Sequence, residues 1–171
     1  DWGPTLLGEW KGVSIHHAGW MVAAFEISGI VGMLVAGWAT DRFFGGRGPR
    51  VCVICMALAT VFVVLLWGIY QPPMWLATLL LGAAGFCIYG PQALVGIAAA
   101  NIATKKAAAT AVGFTGLFGY ASTLVSGWGL GLLAQHYGWN IAVGALILIA
   151  IMGTLIFMAA WSAKANGYDN D

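Results

Sequence analysis

Residues 51–69, VCVICMALATVFVVLLWGI, decide the fold. The stretch has no charge and no proline, and its length matches the ~20 residues that one helix needs to cross a bilayer. It opens a longer run, Val51 to Thr104, without a single Asp, Glu, Lys or Arg, and a second such run extends from Ala107 to Ala163. Each is long enough for two membrane-spanning helices.

The composition agrees. Of 171 residues 61% are hydrophobic and 8% charged, against about 25% charged in soluble domains. Breakers divide the chain into five helices, His17 to Trp38, Val51 to Ile69, Trp75 to Ala100, Ala107 to Ala134 and Trp139 to Trp161, preceded by a stub, Asp1 to Leu7. The connections, Gly8 to His16, Asp41 to Arg50, Tyr70 to Pro73, Thr104 to Lys106 and Gln135 to Gly138, are short, as between antiparallel neighbours in a bundle. The expected fold is an all-α integral membrane protein. Five helices plus a stub, and a chain that opens on Asp1, suggest a single incomplete domain over residues 1–171, the stub being the end of a sixth helix.

If the helices alternate in direction, Arg42, Arg47, Arg50, Lys105, Lys106 and Lys164 share one side and Lys11 alone lies on the other. Basic residues concentrate on cytoplasmic loops, so the first side, with the C-terminus, is expected to be cytoplasmic. Trp10, Trp20, Trp67, Tyr70, Trp75, Tyr137 and Trp139 fall near the opposite helix ends, where amphipathic rings favour the interface.

A net charge of +1 without clustered basic residues argues against nucleic acid as a partner. Cys52, Cys55 and Cys87 lie in apolar stretches and suggest neither disulfides nor a metal site. His16 and His17 have no carboxylate or cysteine at ligand spacing, and read as interfacial residues. No phosphate loop, nucleophile elbow or zinc-protease motif is found, so neither an enzyme nor a cofactor is expected.

Glu26 falls near the middle of its helix, where an ionisable group costs at least ~2.5 kcal/mol and calls for a cavity or a partner. A glutamate held by a neighbouring helix for packing alone is the alternative. Tyr89 and Gln92 share a helix face and flank Gly90-Pro91, where a kink or local unwinding is expected; a kink that only shapes packing is equally compatible. Gly113, Gly116, Tyr120, Thr123 and Gly127 form one stripe that suggests close approach of another backbone, with Tyr120 as a candidate pocket residue. Asp1 would also sit within the membrane if the stub is a helix end.

The segment GWATDRFFGGRGPR, Gly37–Arg50, resembles the major facilitator signature, in which Asp41, Arg42 and Arg47 would pair between helix ends and gate the cytoplasmic face. IYGPQ (Ile88–Gln92), ATKKAAATAVGFTGLFGY (Ala103–Tyr120) and DWGPT (Asp1–Thr5) resemble the organophosphate:phosphate antiporter family. The resemblance covers nearly the whole chain and matches the second half of that fold, from the end of helix 7 (1–7) through helix 8 (17–38), helix 9 (51–69), helix 10 (75–100), helix 11 (107–134) and helix 12 (139–161).

It implies exchange of an organic phosphate, such as glycerol phosphate, a hexose phosphate or a phosphoglycerate, for inorganic phosphate in a bacterial inner membrane. It also implies a partner six-helix half carrying further binding groups, and pocket positions at Asp1, Glu26, Tyr89 and Tyr120. Gln92 and the run ALVGIAAAN (Ala93–Asn101) look closest to the phosphoglycerate branch. The family also includes a membrane sensor of sugar phosphate, which is the alternative reading.

Overall fold

The computed structural model describes residues 3–163, all of them helix or short connection. Helix α1 spans Gly3–Lys11, α2 Ile15–Phe44, α3 Gly48–Gly68, α4 Met74–Ile102, α5 Ala108–Tyr137 and α6 Trp139–Ala159. The last five are long and apolar enough to cross a membrane. At 1.5 Å per residue, α2 and α5, with 30 residues each, are about 45 Å long and exceed a hydrocarbon core of ~30 Å.

The excess length corrects several expected boundaries. Helix α1 continues past Leu7 to Lys11, because a lone glycine such as Gly8 weakens a helix by only ~1 kcal/mol. It ends at Gly12, which has φ +67° and donates its N–H to the Gly8 carbonyl at 3.0 Å. Helix α2 begins at Ile15, ahead of His17, and absorbs Asp41 and Arg42 into its last turn instead of leaving them in a loop.

What stops α2 is backbone geometry. Gly45 and Gly46 have φ +56° and +75°, and Gly46 N–H reaches back to Thr40 O at 3.0 Å. Pro49 lies in the first turn of α3, where its missing N–H costs nothing, so α3 starts at Gly48 ahead of the expected Val51. The connection shrinks to Gly45–Arg47. Likewise α5 runs through Gln135 and His136 to Tyr137, and Gly138 alone, at φ +82°, turns the chain into α6.

Helix α4 passes through Pro91 without interruption, so the expected unwinding is absent. Gly90 and Pro91 are buried, with Gly90 against Ala36 of α2 and Cys55 of α3. A helix packed from two sides has no water to satisfy backbone groups that unwinding would release.

Helices α2 and α4 run parallel and pack most closely. A methyl on Gly32 would overlap the carbonyl of Phe86, and one on Gly85 would lie 2.5 Å from the carbonyl oxygen of Phe25. Ser28 Oγ donates across the same seam to Gly82 O at 2.7 Å, and also contacts Phe25 O at 3.0 Å. With lipid on the outside as apolar as leucine, such close approach is what draws helices together. Two apolar clusters flank the seam. Leu7, Ala18, Met21, Leu66, Ala77 and Leu80 fill the tryptophan-bearing end; Ala36, Val51, Cys52 and Leu94 fill the arginine-bearing end.

The stripe on α5 behaves differently from expectation. A methyl on Gly113, Gly116 or Gly119 would meet nothing within 4 Å, and α5 is the least buried of the five spans. The spacing that marks a contact on α2 and α4 marks an open face here.

Candidate binding face

Glu26 on α2 and Tyr89 on α4 meet across the glycine seam, Tyr89 donating its hydroxyl proton to Glu26 Oε2. The ring of Tyr89 lies on the bare backbone of Gly29, where an added methyl would be 2.6 Å from Cδ2. Phe25 meets the ring edge-on, with centroids 5.9 Å apart at 73°. The carboxylate is exposed on this face, so its hydrogen bond to Tyr89 leaves further lone pairs available.

Gln92, one turn beyond Tyr89, opens instead into a groove of about 550 Å³ between α4 and α5. Tyr120, 79% exposed, lines the same groove with Thr115, Gly116, Ser122 and Thr123. The hydroxyls of Thr115, Ser122 and Thr123 donate to carbonyls of Val112 and Gly119 within α5 at 2.7–3.0 Å. Their oxygens therefore face the groove as acceptors. The structure thus brings Glu26 to Tyr89 and Gln92 to Tyr120, as neighbouring patches and not as one cavity. Asp1 lies outside the described residues.

Thr115, Ser122 and the ring seat at Gly29 escaped the sequence reading. Thr115 and Ser122 share a helix face with Gly119, not with Gly116 and Tyr120, so the glycine stripe gave no signal for them, and nothing in the sequence pointed to Gly29. Cys52 and Cys87 are buried and Cys55 is half-buried, with its sulfur 3.3 Å from where a Gly90 methyl would be. They fill helix contacts.

At the arginine-bearing end, Asp41 lines a cavity of about 90 Å³ with Thr40, Pro49, Ile97 and Asn101. Arg42 is exposed and Arg47 half-buried, and among the described residues no ion pair joins either to Asp41. Arg50, absent from the expected gate, donates from Nε to Trp161 O at 3.4 Å. Its guanidinium lies 5.4 Å from the Trp161 ring and ties the start of α3 to the segment after α6.

At the opposite end α1 is locked to α6 by two indole bonds, Trp139 Nε1 to Glu9 Oε2 and Trp10 Nε1 to Asn140 Oδ1, each 2.7 Å. Lys11 Nζ donates to Ile69 O at 2.9 Å.

Five helices of membrane-spanning length, with a carboxylate–tyrosine pair on an open face inside the spans, define a multi-pass membrane protein with a polar face. Residues 3–167 match the Major Facilitator Superfamily, and the chain belongs to that family. It is 41% identical over 167 residues to a probable hexose phosphate transport protein of Chlamydia muridarum, covering 96% of this chain and 36% of the relative. Against a hexose-6-phosphate:phosphate antiporter of Salmonella typhimurium it is 36% identical over 146 residues, 79% of this chain and 30% of the relative. A membrane sensor protein of the same organism, UhpC, is 33% identical over 166 residues, 96% of this chain and 37% of the relative. These similarities support the organophosphate:phosphate antiporters within the superfamily. The chain spans about a third of the length of these curated relatives.

Proposed function

We propose that this chain forms the second six-helix half of a secondary transporter, a single incomplete domain with α1 as the end of helix 7 and α2 to α6 as helices 8 to 12. The complete protein exchanges an organic phosphate ester for inorganic phosphate. Relatives named for hexose phosphate and for glycerol-3-phosphate favour these esters over the phosphoglycerate suggested by the run after Pro91.

The observation that carries the reading is the Glu26–Tyr89 pair on an exposed face of the α2–α4 seam. A carboxylate at that depth persists where substrate hydroxyls, water or a cation can compensate it. Glu26, Tyr89, Gln92 and Tyr120 present acceptors and hydroxyls suited to the sugar or glycerol part, and the family resemblance assigns the phosphate clamp to arginines outside this sequence. The family resemblance would add Asp1 as a further carboxylate of the binding site.

Alternating access follows from two halves rocking about one site, with the outward phosphate gradient driving uptake. The arginine-bearing end, with Asp41, Arg42 and Arg47, is then the cytoplasmic gate of an inner-membrane protein whose C-terminus is cytoplasmic, in keeping with the basic bias. A sensor of sugar phosphate is the second reading, favoured by the similarity to UhpC. Counterflow in proteoliposomes of the full-length protein separates them: a transporter exchanges labelled phosphate for internal phosphate, whereas a sensor binds ligand without exchange.

A further inference from the structure

The tryptophan-bearing end holds a second polar pocket, remote from the Glu26 face. It has a volume of about 590 Å³ and is lined by Trp10, Lys11, Trp67, Tyr70, Gln71 and Asn140 among others. None of its lining residues is acidic. The carboxylate nearest in sequence, Glu9, is taken by the Trp139 indole.

The donors in this pocket are fixed. An indole N–H can only donate, so the bond from Trp10 forces the Asn140 oxygen toward it and leaves the Asn140 Nδ2 protons for another acceptor. Lys11 gives one proton to Ile69 O and lies 4.1 Å from the centre of the Trp10 ring, which holds the ammonium in place with donor capacity remaining. Gln71 has φ +52°, the one left-handed residue other than glycine among the described residues, and it precedes two prolines. The surrounding turn holds this backbone in a conformation that L-residues rarely keep, with the Gln71 amide at the pocket rim.

The pocket stands over α3 and α6, the two most apolar spans, each with mean hydropathy 2.7. Val61, Val64, Leu65 and Ile141 just below it are exposed apolar surface suited to acyl chains. Trp67 and Tyr70 supply rings of the kind that settle at headgroup depth.

We propose that this pocket binds the phosphate of a phospholipid headgroup from the leaflet at this end of the bundle, with Lys11 supplying charge and Asn140 and Gln71 supplying hydrogen bonds. The lipid then seals the junction of α1, α3 and α6 from outside. Basic pockets between membrane helices hold anionic headgroups at the cytoplasmic side, and a fixed lysine with two amide donors offers the same chemistry to the opposite leaflet.

The test uses the full-length protein in nanodiscs of phosphatidylcholine with phosphatidylglycerol, with retained lipid counted by native mass spectrometry. Wild type is expected to retain a phosphatidylglycerol adduct, Lys11→Arg to keep it, and Lys11→Gln to lower its occupancy roughly fivefold. Asn140→Asp keeps the oxygen that Trp10 needs but sets a negative charge against the phosphate, so it should lose the adduct without loosening α1 from α6. Because it preserves the fold, it decides the matter even if Lys11→Gln does not assemble. Equal adducts in wild type and Asn140→Asp would overturn the proposal. So would occupancy of the pocket by inorganic phosphate or glycerol phosphate, added to phosphatidylcholine nanodiscs, without any lipid adduct.

Discussion

Gly29 is the seat of the Tyr89 ring: the absence of a side chain on α2 at that point lets the tyrosine lie flat enough to reach Glu26. A methyl at residue 29 has to displace the ring, because the atom it meets belongs to a rigid aromatic and not to a flexible chain end. Gly29→Ala is therefore expected to weaken exchange by separating Tyr89 from Glu26, while the complete protein still inserts. Binding of organic phosphate measured by calorimetry checks this. Unchanged affinity would show that the ring has another resting place.

Gly32 and Gly113 make a matched comparison. At Gly32 an alanine methyl collides with the Phe86 backbone, and overpacking of this kind costs about 1–3 kcal/mol. At Gly113 the methyl meets nothing in this half. Gly32→Ala should lower the thermal unfolding midpoint of the purified protein in detergent. Gly113→Ala should leave it unchanged or raise it, since alanine is the better helix former by ~1 kcal/mol. Equal losses would mean that the α5 face is covered in the complete protein.

The orientation is checked by cysteine accessibility. Cysteines at Gly46, between α2 and α3, and at Gln71, between α3 and α4, lie at opposite ends of α3. An impermeant maleimide applied from outside intact cells should label residue 71, and residue 46 should need permeabilisation. Labelling of both from one side would overturn the topology.

The two indole bonds between α1 and α6 predict a fourth outcome. Trp139→Phe keeps an aromatic ring, though a smaller one, but leaves Glu9 without its donor, and a hydrogen bond to a charged group contributes about 1.5–3 kcal/mol. Hydrogen exchange of the α1 amides should rise in this variant while that of α4 stays the same. Unaltered protection of α1 would show that Leu7 and its apolar neighbours hold the helix alone.

The existence of the spans was plain from the sequence because uncharged runs between Arg50, Lys105 and the tail leave no other solvent for them. Their ends were not, since hydropathy stops at the hydrocarbon boundary while the helix continues through Asp41, Arg42 and Gln135 into the interface. Glu26, Tyr89 and Tyr120 were each legible as polar groups at a depth where polarity is costly. Their pairing was hidden, because α2 and α4 are apolar nearly all round and carry no amphipathic face that points to a neighbour. Gly29, Gly32, Gly82 and Gly85 repeat at the same spacing as Gly113 and Gly116. Only the packed structure separates a seam from an open face.

The most direct test of the account is phosphate counterflow by the full-length protein carrying Glu26→Gln, beside Tyr89→Phe. Glutamine keeps the shape and the acceptor for Tyr89 but removes the charge, and phenylalanine keeps the ring on Gly29 but removes the donor. Loss of a hydrogen bond involving a charged group corresponds to a factor of about ten or more. Both variants are expected to reach the membrane at normal levels and to exchange phosphate at least about tenfold more slowly than the parent. Exchange by Glu26→Gln at the parent's rate and affinity would contradict the central claim and reduce the carboxylate to a packing element of the α2–α4 seam.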